Sequence, residues 1–552
     1  MSVSNYYLVV VLIAFSSLIN PLLAIQNESI IPKPQHTIIN EGHFILEENT
    51  KINYSHPSLR NLAIEFQHAL KTDIGINLKL FKNKLISNQK STFELKLQKG
   101  FENEAYQIVI NTKTVSCKAS TEAGLFYAIQ SLRQLIRIEN GKVRIPCMQI
   151  NDAPRFAWRG FMLDEARQFF GKKTVMQYID IMARLKMNRF HWHLSDEQAF
   201  RLDIEKFPLL STIGSIGSWS NRKSPAAFYT QSDIKEIVAY ASRRHIMIIP
   251  EIDMPGHATA ITRSYPYLSG GGRGRWAGFT LNPARESTYL FIDSLLTEIA
   301  ALFPAPYIHI GADEVHFGNQ SWHTDTEIQN FIKVNKLNNE VGLEHYFVKR
   351  VNKIVQSKGK QTIGWDEIVN IDLKKEAAVV MWWRHDKPEL LKQALANGFS
   401  VILTPRLPCY FDYVQDEEHQ IGRRKFWDTP NINTLKTVYD FPDSPHQSSG
   451  IIAGNEKQVL GIQASLWSER IGDQKRLDFL TFPRLIAMAE SSWTKKQSKS
   501  YSDFMERLKL FLPKLDKEGI YYFNVFDKSL TPEPWGPTTE DVIPEDNTKF
   551  MQ

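Results

Sequence analysis

The run His309-Ile-Gly-Ala-Asp313-Glu314 sets two carboxylates side by side at the end of a short apolar stretch. Neighbours on a regular strand point to opposite faces, so both can serve one site only where the strand breaks. Gly311 and the segment beginning near His316 mark such a break. Two adjacent carboxylates also repel, so one should hold its proton to a higher pH than usual, as an acid catalyst working near neutrality requires. Other apolar stretches end in functional groups as well: Asp164 with Arg167, Asp196-Glu197, Glu251-x-Asp253-x-x-Gly-His257, Trp365-Asp366-Glu367, Trp383-Arg384, Tyr410-x-Asp412 and Trp467-x-Glu469. Carboxylates bind hydroxyls and move protons, while indole faces pack against sugar C–H surfaces or an acyl methyl. This mixture suits a carbohydrate better than a phosphate ester. Gly270-Gly-Gly-Arg-Gly-Arg reads as a polar loop, not as a phosphate cradle.

These groups fall at the ends of eight short apolar runs that alternate with helical patterns. The runs are Gly160-Phe-Met-Leu-Asp, Arg189-Phe-His-Trp-His-Leu, Ile246-Met-Ile-Ile-Pro-Glu, Tyr307-Ile-His-Ile-Gly, Gln361-Thr-Ile-Gly-Trp, Ala378-Val-Val-Met-Trp, Ser400-Val-Ile-Leu-Thr and Val459-Leu-Gly-Ile-Gln-Ala. Continuous apolar character is what a parallel strand buried on both faces needs, and eight such units predict a closed (β/α)8 TIM barrel over residues 154–520. An open doubly wound sheet shares the alternation, but no G-x-G-x-x-G follows the first strand. Chemistry in a barrel gathers at the carboxyl ends of its strands, where these polar residues lie. Residues 25–153 read as a smaller α+β accessory domain. Its strands are expected at Phe44-Ile-Leu, Phe93-Glu-Leu-Lys-Leu and Tyr106-Gln-Ile-Val-Ile, and its helices over 59–70 and 119–136. A helix over 504–515 precedes a Pro-rich, acidic and peripheral tail, 521–552.

The whole chain has 552 residues, 43% hydrophobic and 11% aromatic, and its net charge of +6 is too weak to imply nucleic-acid binding. The three cysteines, Cys117, Cys147 and Cys409, are too few for a disulfide scaffold and lack zinc spacing. Residues 6–19 form a short apolar run followed by Pro21-Leu-Leu-Ala24, which predicts a signal peptide over 1–24 and export to a periplasm or the exterior. No stretch is long enough for a membrane span. Sequons stand at Asn27, Asn53 and Asn319. His191-x-His193 puts two imidazoles on one strand face; a packed, hydrogen-bonded role is expected, and a metal-dependent hydrolase using His257 and His309 is the alternative.

Taken together, several motifs resemble the family 20 β-N-acetylhexosaminidases. They are Arg159-Gly-Phe-Met-Leu-Asp164-x-x-Arg167, Asn188-x-x-His-Trp-His-Leu-x-Asp196-x-Gln198, Pro250-Glu-Ile-Asp-Met-Pro-Gly-His257 and His309-Ile-Gly-Ala-Asp-Glu314. Tyr410-x-Asp412, Ala464-x-x-Trp467-x-Glu469 and Pro483-Arg-x-x-Ala-x-Ala-Glu490 complete the set. The resemblance implies an exo-acting, retaining enzyme that releases terminal β-linked GlcNAc, or GalNAc, from oligosaccharides or glycoconjugates without a cofactor or metal. It implies substrate-assisted catalysis, in which the 2-acetamido oxygen attacks the anomeric carbon and forms an oxazolinium. Glu314 is then the acid and later the base, Asp313 orients the acetamide, and Tyr410 donates to its carbonyl. By the same carry-over Arg159, Asp412 and Glu469 hold hydroxyls, and Trp365, Trp383 and Trp467 wall the pocket. Asp196 and His257 stand behind Glu314. Glu197 occupies a position where many relatives carry Asp, and Trp427 is a candidate platform for a second sugar. A glycan-binding relative that has lost catalysis is the third reading, and the intact Asp313-Glu314 pair speaks against it.

Overall fold

The structure is a computed structural model that describes residues 29–82, 91–421, 425–426, 429–430, 432–444 and 448–537. The signal-peptide segment, the Asn27 sequon and Trp427 lie outside the described residues. The accessory domain is built from β1 (His36–Leu46), β2 (Lys51–Tyr54), α1 (Arg60–Ile74), β3 (Lys79–Lys82), β4 (Thr92–Leu97), β5 (Tyr106–Ile110), β6 (Thr114–Ala119), α2 (Glu122–Leu135), β7 (Arg137–Glu139) and β8 (Lys142–Asp152). Its mixed sheet runs β1-β8-β5-β6-β4-β2-β3, with β7 on β8. Residues of β5 and β6 alternate between buried and half-buried, as in a sheet covered on one face, here by α1 and α2. Thr121 caps α2 by accepting from the Gly124 N–H.

Eight parallel strands then close the predicted barrel: β9 (Trp158–Asp164), β10 (Arg189–His193), β11 (Met247–Met254), β12 (Tyr307–Gly311), β13 (Gln361–Trp365), β14 (Ala378–Trp382), β15 (Ser400–Leu403) and β16 (Val459–Leu466). β9 pairs with both β10 and β16, which closes the ring. The returning helices are α3 (Lys172–Arg184), α4 (Gln231–Ser242), α5 (Glu286–Leu302), α6 (Glu340–Ser357), α7 (Pro388–Ala396), α8 (Leu435–Asp440) and α9 (Arg484–Trp493). After β13 a short 3-10 turn, Asp366–Asn370, takes the place of a full helix. The expected late helix spans α10 (Tyr501–Lys517).

The chain beyond residue 520 is no loose appendage as far as Pro537. Tyr522 and Phe523 are buried, and Glu533 pairs with Arg476 at 2.9 Å while accepting the Gln420 and Ile421 N–H groups. An acidic, Pro-rich composition hides such packing, because one buried ion pair can anchor an otherwise polar segment.

Polar groups join the two domains at the amino-terminal end of the barrel. Asp152 at the end of β8 accepts from Lys186 Nζ at 3.1 Å, from the Trp493 indole at 3.0 Å and from the Tyr106 hydroxyl at 2.5 Å. The Asp152 and Lys186 side chains are fully buried, so burial lowers the Lys186 pKa while Asp152 holds its charge in place. Asp152→Ala should therefore leave a buried ammonium unpaired and cost roughly 3–5 kcal/mol of stability. Urea unfolding checks this, and a loss no larger than that of a surface Asp→Ala control would contradict it.

Candidate active site

Asp313 and Glu314 stand where β12 breaks. Gly311, Ala312 and Glu314 have φ of +66°, +69° and +51°, and the chain then enters a 3-10 turn at Val315–Phe317. A Cβ on Gly311 would fall 1.8 Å from Asp253 Oδ1, so only glycine fits there. The break lets both carboxylates approach one imidazole: His257 Nε2 lies 3.7 Å from Asp313 and 3.6 Å from Glu314. Asp313 is the deeper of the two, with 11% side-chain exposure against 33% for Glu314. Burial pushes the Asp313 carboxyl up to about 6; His257 opposes the shift, and repulsion from Glu314 adds to it.

A chain of buried charges stands behind the pair. His257 Nδ1 is 3.1 Å from Asp196 Oδ1, and Asp196 Oδ2 is 2.7 Å from Arg167 Nη2 and 2.9 Å from His193 Nε2. Burial alone would raise Asp196, but Arg167 and His257 hold it well below the usual carboxylate range. His257 is held charged in turn, because Asp196, Asp313 and Asp253 outweigh its burial. His193 Nδ1 continues the chain to Glu251 Oε2 at 2.5 Å, and Glu251 Oε1 accepts from the Trp365 indole at 2.9 Å. Glu251 therefore ties the wall of the pocket to the residues that hold Glu314 and Asp313.

His191 and His193 do share one face, as their spacing requires, and that face is the barrel interior. His191, Glu251 and His309 come within 4.8 Å of one another, close enough to share an ion. The donors around Glu251 favour a hydrogen-bonded reading: the Trp365 N–H points at its carboxylate, and His193 reaches it on the other oxygen. Burial lowers His191 to about 4, so it stays neutral as a packed hydrogen-bonding ring.

Four buried aromatic rings pack together at this end of the barrel, with Tyr410 close enough to Asp313 to feel its charge. Trp383 lies parallel to Tyr410 at 6.4 Å, and Trp467 lies 5.8 Å from Trp365 and 5.9 Å from Tyr410. Trp365 and Trp383 meet edge to face at 6.5 Å. Each ring is fixed by a polar bond at its edge: Trp383 donates to Glu367 at 3.1 Å, Trp365 to Glu251, and Trp467 to the Tyr410 hydroxyl. Tyr410 caps the short helical turn Arg406–Cys409 that follows β15, and the N–H of Phe411 bonds the Ser465 carbonyl of β16 at 2.8 Å, which pins Tyr410 and Asp412 to the rim. Asp412 is buried between Tyr410 and Arg484. Glu469 stands beside Asp164 and Arg167.

Arg159 is the exception and corrects the sequence reading. It is the second residue of β9, about 16 Å of strand from Asp164 at roughly 3.3 Å per residue, beyond the reach of its side chain to the rim. Fully buried at the opposite end of the barrel, it bonds Glu104 at 2.9 Å, the Lys186 carbonyl at 2.7 Å and the Tyr127 hydroxyl at 3.2 Å. It locks the accessory domain to the barrel. The arginine at the site is Arg167, whose guanidinium sits 4.9 Å from the Trp467 ring centre and bridges Asp164 and Asp196. Its position just past the strand end, in the motif with Asp164, was the available signal.

The catalytic-domain model of glycosyl hydrolase family 20 matches residues 156–496, and that of family 20, domain 2, matches residues 27–153. The chain belongs to glycosyl hydrolase family 20. Within family 20 it is 33% identical over 514 residues to a β-hexosaminidase of Porphyromonas gingivalis, covering 90% of this chain and 64% of that protein. The chain thus spans just under two thirds of that relative's length. A β-hexosaminidase of Vibrio furnissii is 31% identical, over 84% of this chain and 76% of its own. Among solved structures, the family 20 exo-β-N-acetylglucosaminidase of Vibrio harveyi, bound to N-acetylglucosamine, superposes with a TM-score of 0.81 at 31% identity, covering 91% of this chain and 79% of its own. The family 20 β-N-acetylhexosaminidase of Streptomyces coelicolor gives 0.78 at 29% identity, over 92% and 99%.

Two outcomes follow from this geometry. Because the folded Asp313 binds its proton more tightly than an unfolded aspartate, its contribution to stability falls as pH rises from about 4 through about 6. Asp313→Asn should therefore melt higher than wild type at pH 7.5, with the gain shrinking at pH 4.5, while activity drops; scanning calorimetry at both pH values checks this. Arg167→Met should lower kcat/KM by roughly 100-fold, the equivalent of ~3 kcal/mol for a lost charged hydrogen bond. Arg159→Met should lower Tm and leave kcat/KM of the folded enzyme within about twofold. The reverse pattern in steady-state kinetics and melts would contradict the placement of the two arginines.

Proposed function

We propose that this chain is an exo-acting, retaining β-N-acetylhexosaminidase that releases terminal β-linked GlcNAc, with GalNAc as the alternative sugar, from oligosaccharides or glycoconjugates. The observation that carries the reading is the Asp313–Glu314 pair at the β12 break, with the cluster of Trp365, Trp383, Tyr410 and Trp467 reaching Asp313 through Tyr410. An aromatic cluster suits an acetamido methyl and a sugar face, and the more exposed Glu314 is the acid for the leaving oxygen in this reading.

Catalysis begins with the substrate's own acetamide. Tyr410 donates to the carbonyl oxygen, and Asp313 accepts from the acetamide N–H, so the oxygen is held against the anomeric carbon in a positioned intramolecular attack. Negative charge on Asp313 stabilises the positive charge that grows on nitrogen as the oxazolinium forms. Glu314 gives its proton to the departing glycosidic oxygen, and the resulting carboxylate takes a proton from the water that opens the ring, restoring the β configuration. His257 and Asp196 keep a positive group beside both carboxylates through the cycle. Arg167, Asp412 and Glu469 hold the sugar's hydroxyls in this reading. Export belongs to the same proposal and rests on the apolar residues 6–19 and Pro21-Leu-Leu-Ala24.

The purified protein should release aryl aglycone from a β-GlcNAc glycoside and be inhibited by a GlcNAc-thiazoline that mimics the oxazolinium. Glu314→Gln should lower kcat on chitobiose by about 10²–10⁴-fold, the range of a lost general acid. No aglycone release by folded wild type would refute the activity. Full activity in the presence of the thiazoline would refute the internal nucleophile.

A further inference from the structure

A second concave site lies at the seam where α1, α2 and β7 of the accessory domain meet α3 and α10, near the amino-terminal end of the barrel. The cavity holds about 530 Å³, within the range of small-ligand pockets, and its lining includes Asp73, Arg133, Arg137, Arg184, Lys514 and Glu518. Both carboxylates are already engaged: Arg133 grips Asp73 with two bonds of 2.8 and 3.0 Å, and Arg184 pairs with Glu518. Arg137 spends its guanidinium on the Gln134 and Ile136 carbonyls and the Ser29 hydroxyl. Lys514 makes no hydrogen bond or ion pair among the described residues; its ammonium has only the Phe511 ring, at 5.6 Å.

The Lys514 ammonium shares the cavity with three guanidiniums whose charges oppose its own, and the two carboxylates there are already paired with arginines. Burial and the charges of Arg137, Arg184 and Arg133 lower Lys514 to about 7, against a small opposing pull from Asp73, which is the behaviour of a cation lacking its counter-charge. Five cations line the cavity once Lys517 is included, against two carboxylates, so three positive charges are in excess. Ile74, Ile136 and Ile138 add an apolar side, so the space can take more than a bare ion.

We propose that this cavity binds an oxyanion of the sulfate or phosphate class, free or as an ester on a sugar, with Lys514 as its central ligand and Arg133, Arg137 and Arg184 around it. Guanidiniums already oriented by Asp73, by Glu518 and by carbonyls lose little freedom when such an anion arrives. The site faces away from the catalytic rim, so occupancy acts on the seam between the domains and stabilises the folded enzyme by mass action.

Inorganic sulfate is the probe, because its charge is constant across the pH range used. At fixed ionic strength, sulfate should raise the Tm of the full chain saturably at pH 6, and calorimetric titration should show affinity falling about tenfold by pH 8.5 as Lys514 loses its proton. Lys514→Met should weaken sulfate binding at least tenfold at pH 6 with unchanged kcat/KM. Lys514→Arg should bind sulfate and lose the pH dependence. Glucose 6-sulfate in a parallel titration separates the sources: tighter binding than sulfate assigns the site to an ester on a sugar, equal or weaker binding to the free ion, and either supports the site. No saturable shift beyond that of sodium chloride at equal ionic strength, or equal affinity in wild type and Lys514→Met, would overturn the proposal.

Discussion

Everything at the catalytic rim depends on keeping two carboxylates together in a buried place without letting them cancel each other. Asp313 and Glu314 repel, and the peptide break at Gly311 and Ala312 forces them to share one imidazole. The fold answers with alternating charge: His257, then Asp196, then Arg167 and His193, then Glu251. Each group is buried, so each would shift toward its neutral form alone, and each is held charged by the next. Glu251 closes the series by accepting the Trp365 indole N–H, so the electrostatics of the acid pair and the shape of the pocket wall rest on one carboxylate.

The barrel was legible because its strands are buried on both faces and therefore read as unbroken apolar runs. All eight runs became strands, with ends shifted by a residue or a few. The accessory domain was harder to read. β2 and β3 are only four residues long and begin or end in lysine, as in Lys51–Tyr54 and Lys79–Lys82, and β6 and β8 carry polar and charged residues among their apolar ones, so such segments resemble loops in a single sequence. Strands of that kind are specified by their partners in the sheet more than by their own residues.

At the site, the adjacent acids, the three tryptophans, Tyr410, Asp412 and Glu469 were visible because they stand at or shortly past the ends of apolar runs. Arg159 was misplaced for the complementary reason: its motif spans a whole strand, and a one-dimensional pattern does not say which end faces the ligand. Arg159 lies five positions before Asp164, and that length of strand carries it from the rim to the domain seam. His193 and Glu251 were seen only as a possible metal pair and a strand-end acid. Their bond joins two different strands, which no local spacing encodes. The same holds for Glu533, in the segment after α10, and its partner Arg476, which precedes that helix.

Retention through the substrate's own acetamide is the central claim, and substrates whose N-acyl group carries zero, one, two or three fluorines test it most directly. Fluorine weakens the carbonyl oxygen as a nucleophile and leaves the leaving group and the protein unchanged. A steep, stepwise fall in log kcat/KM with each fluorine is the expected result. A flat series, with the trifluoroacetyl substrate cleaved as readily as the acetyl one, would show that the acetamide does not attack and that the roles given to Asp313 and Tyr410 are wrong.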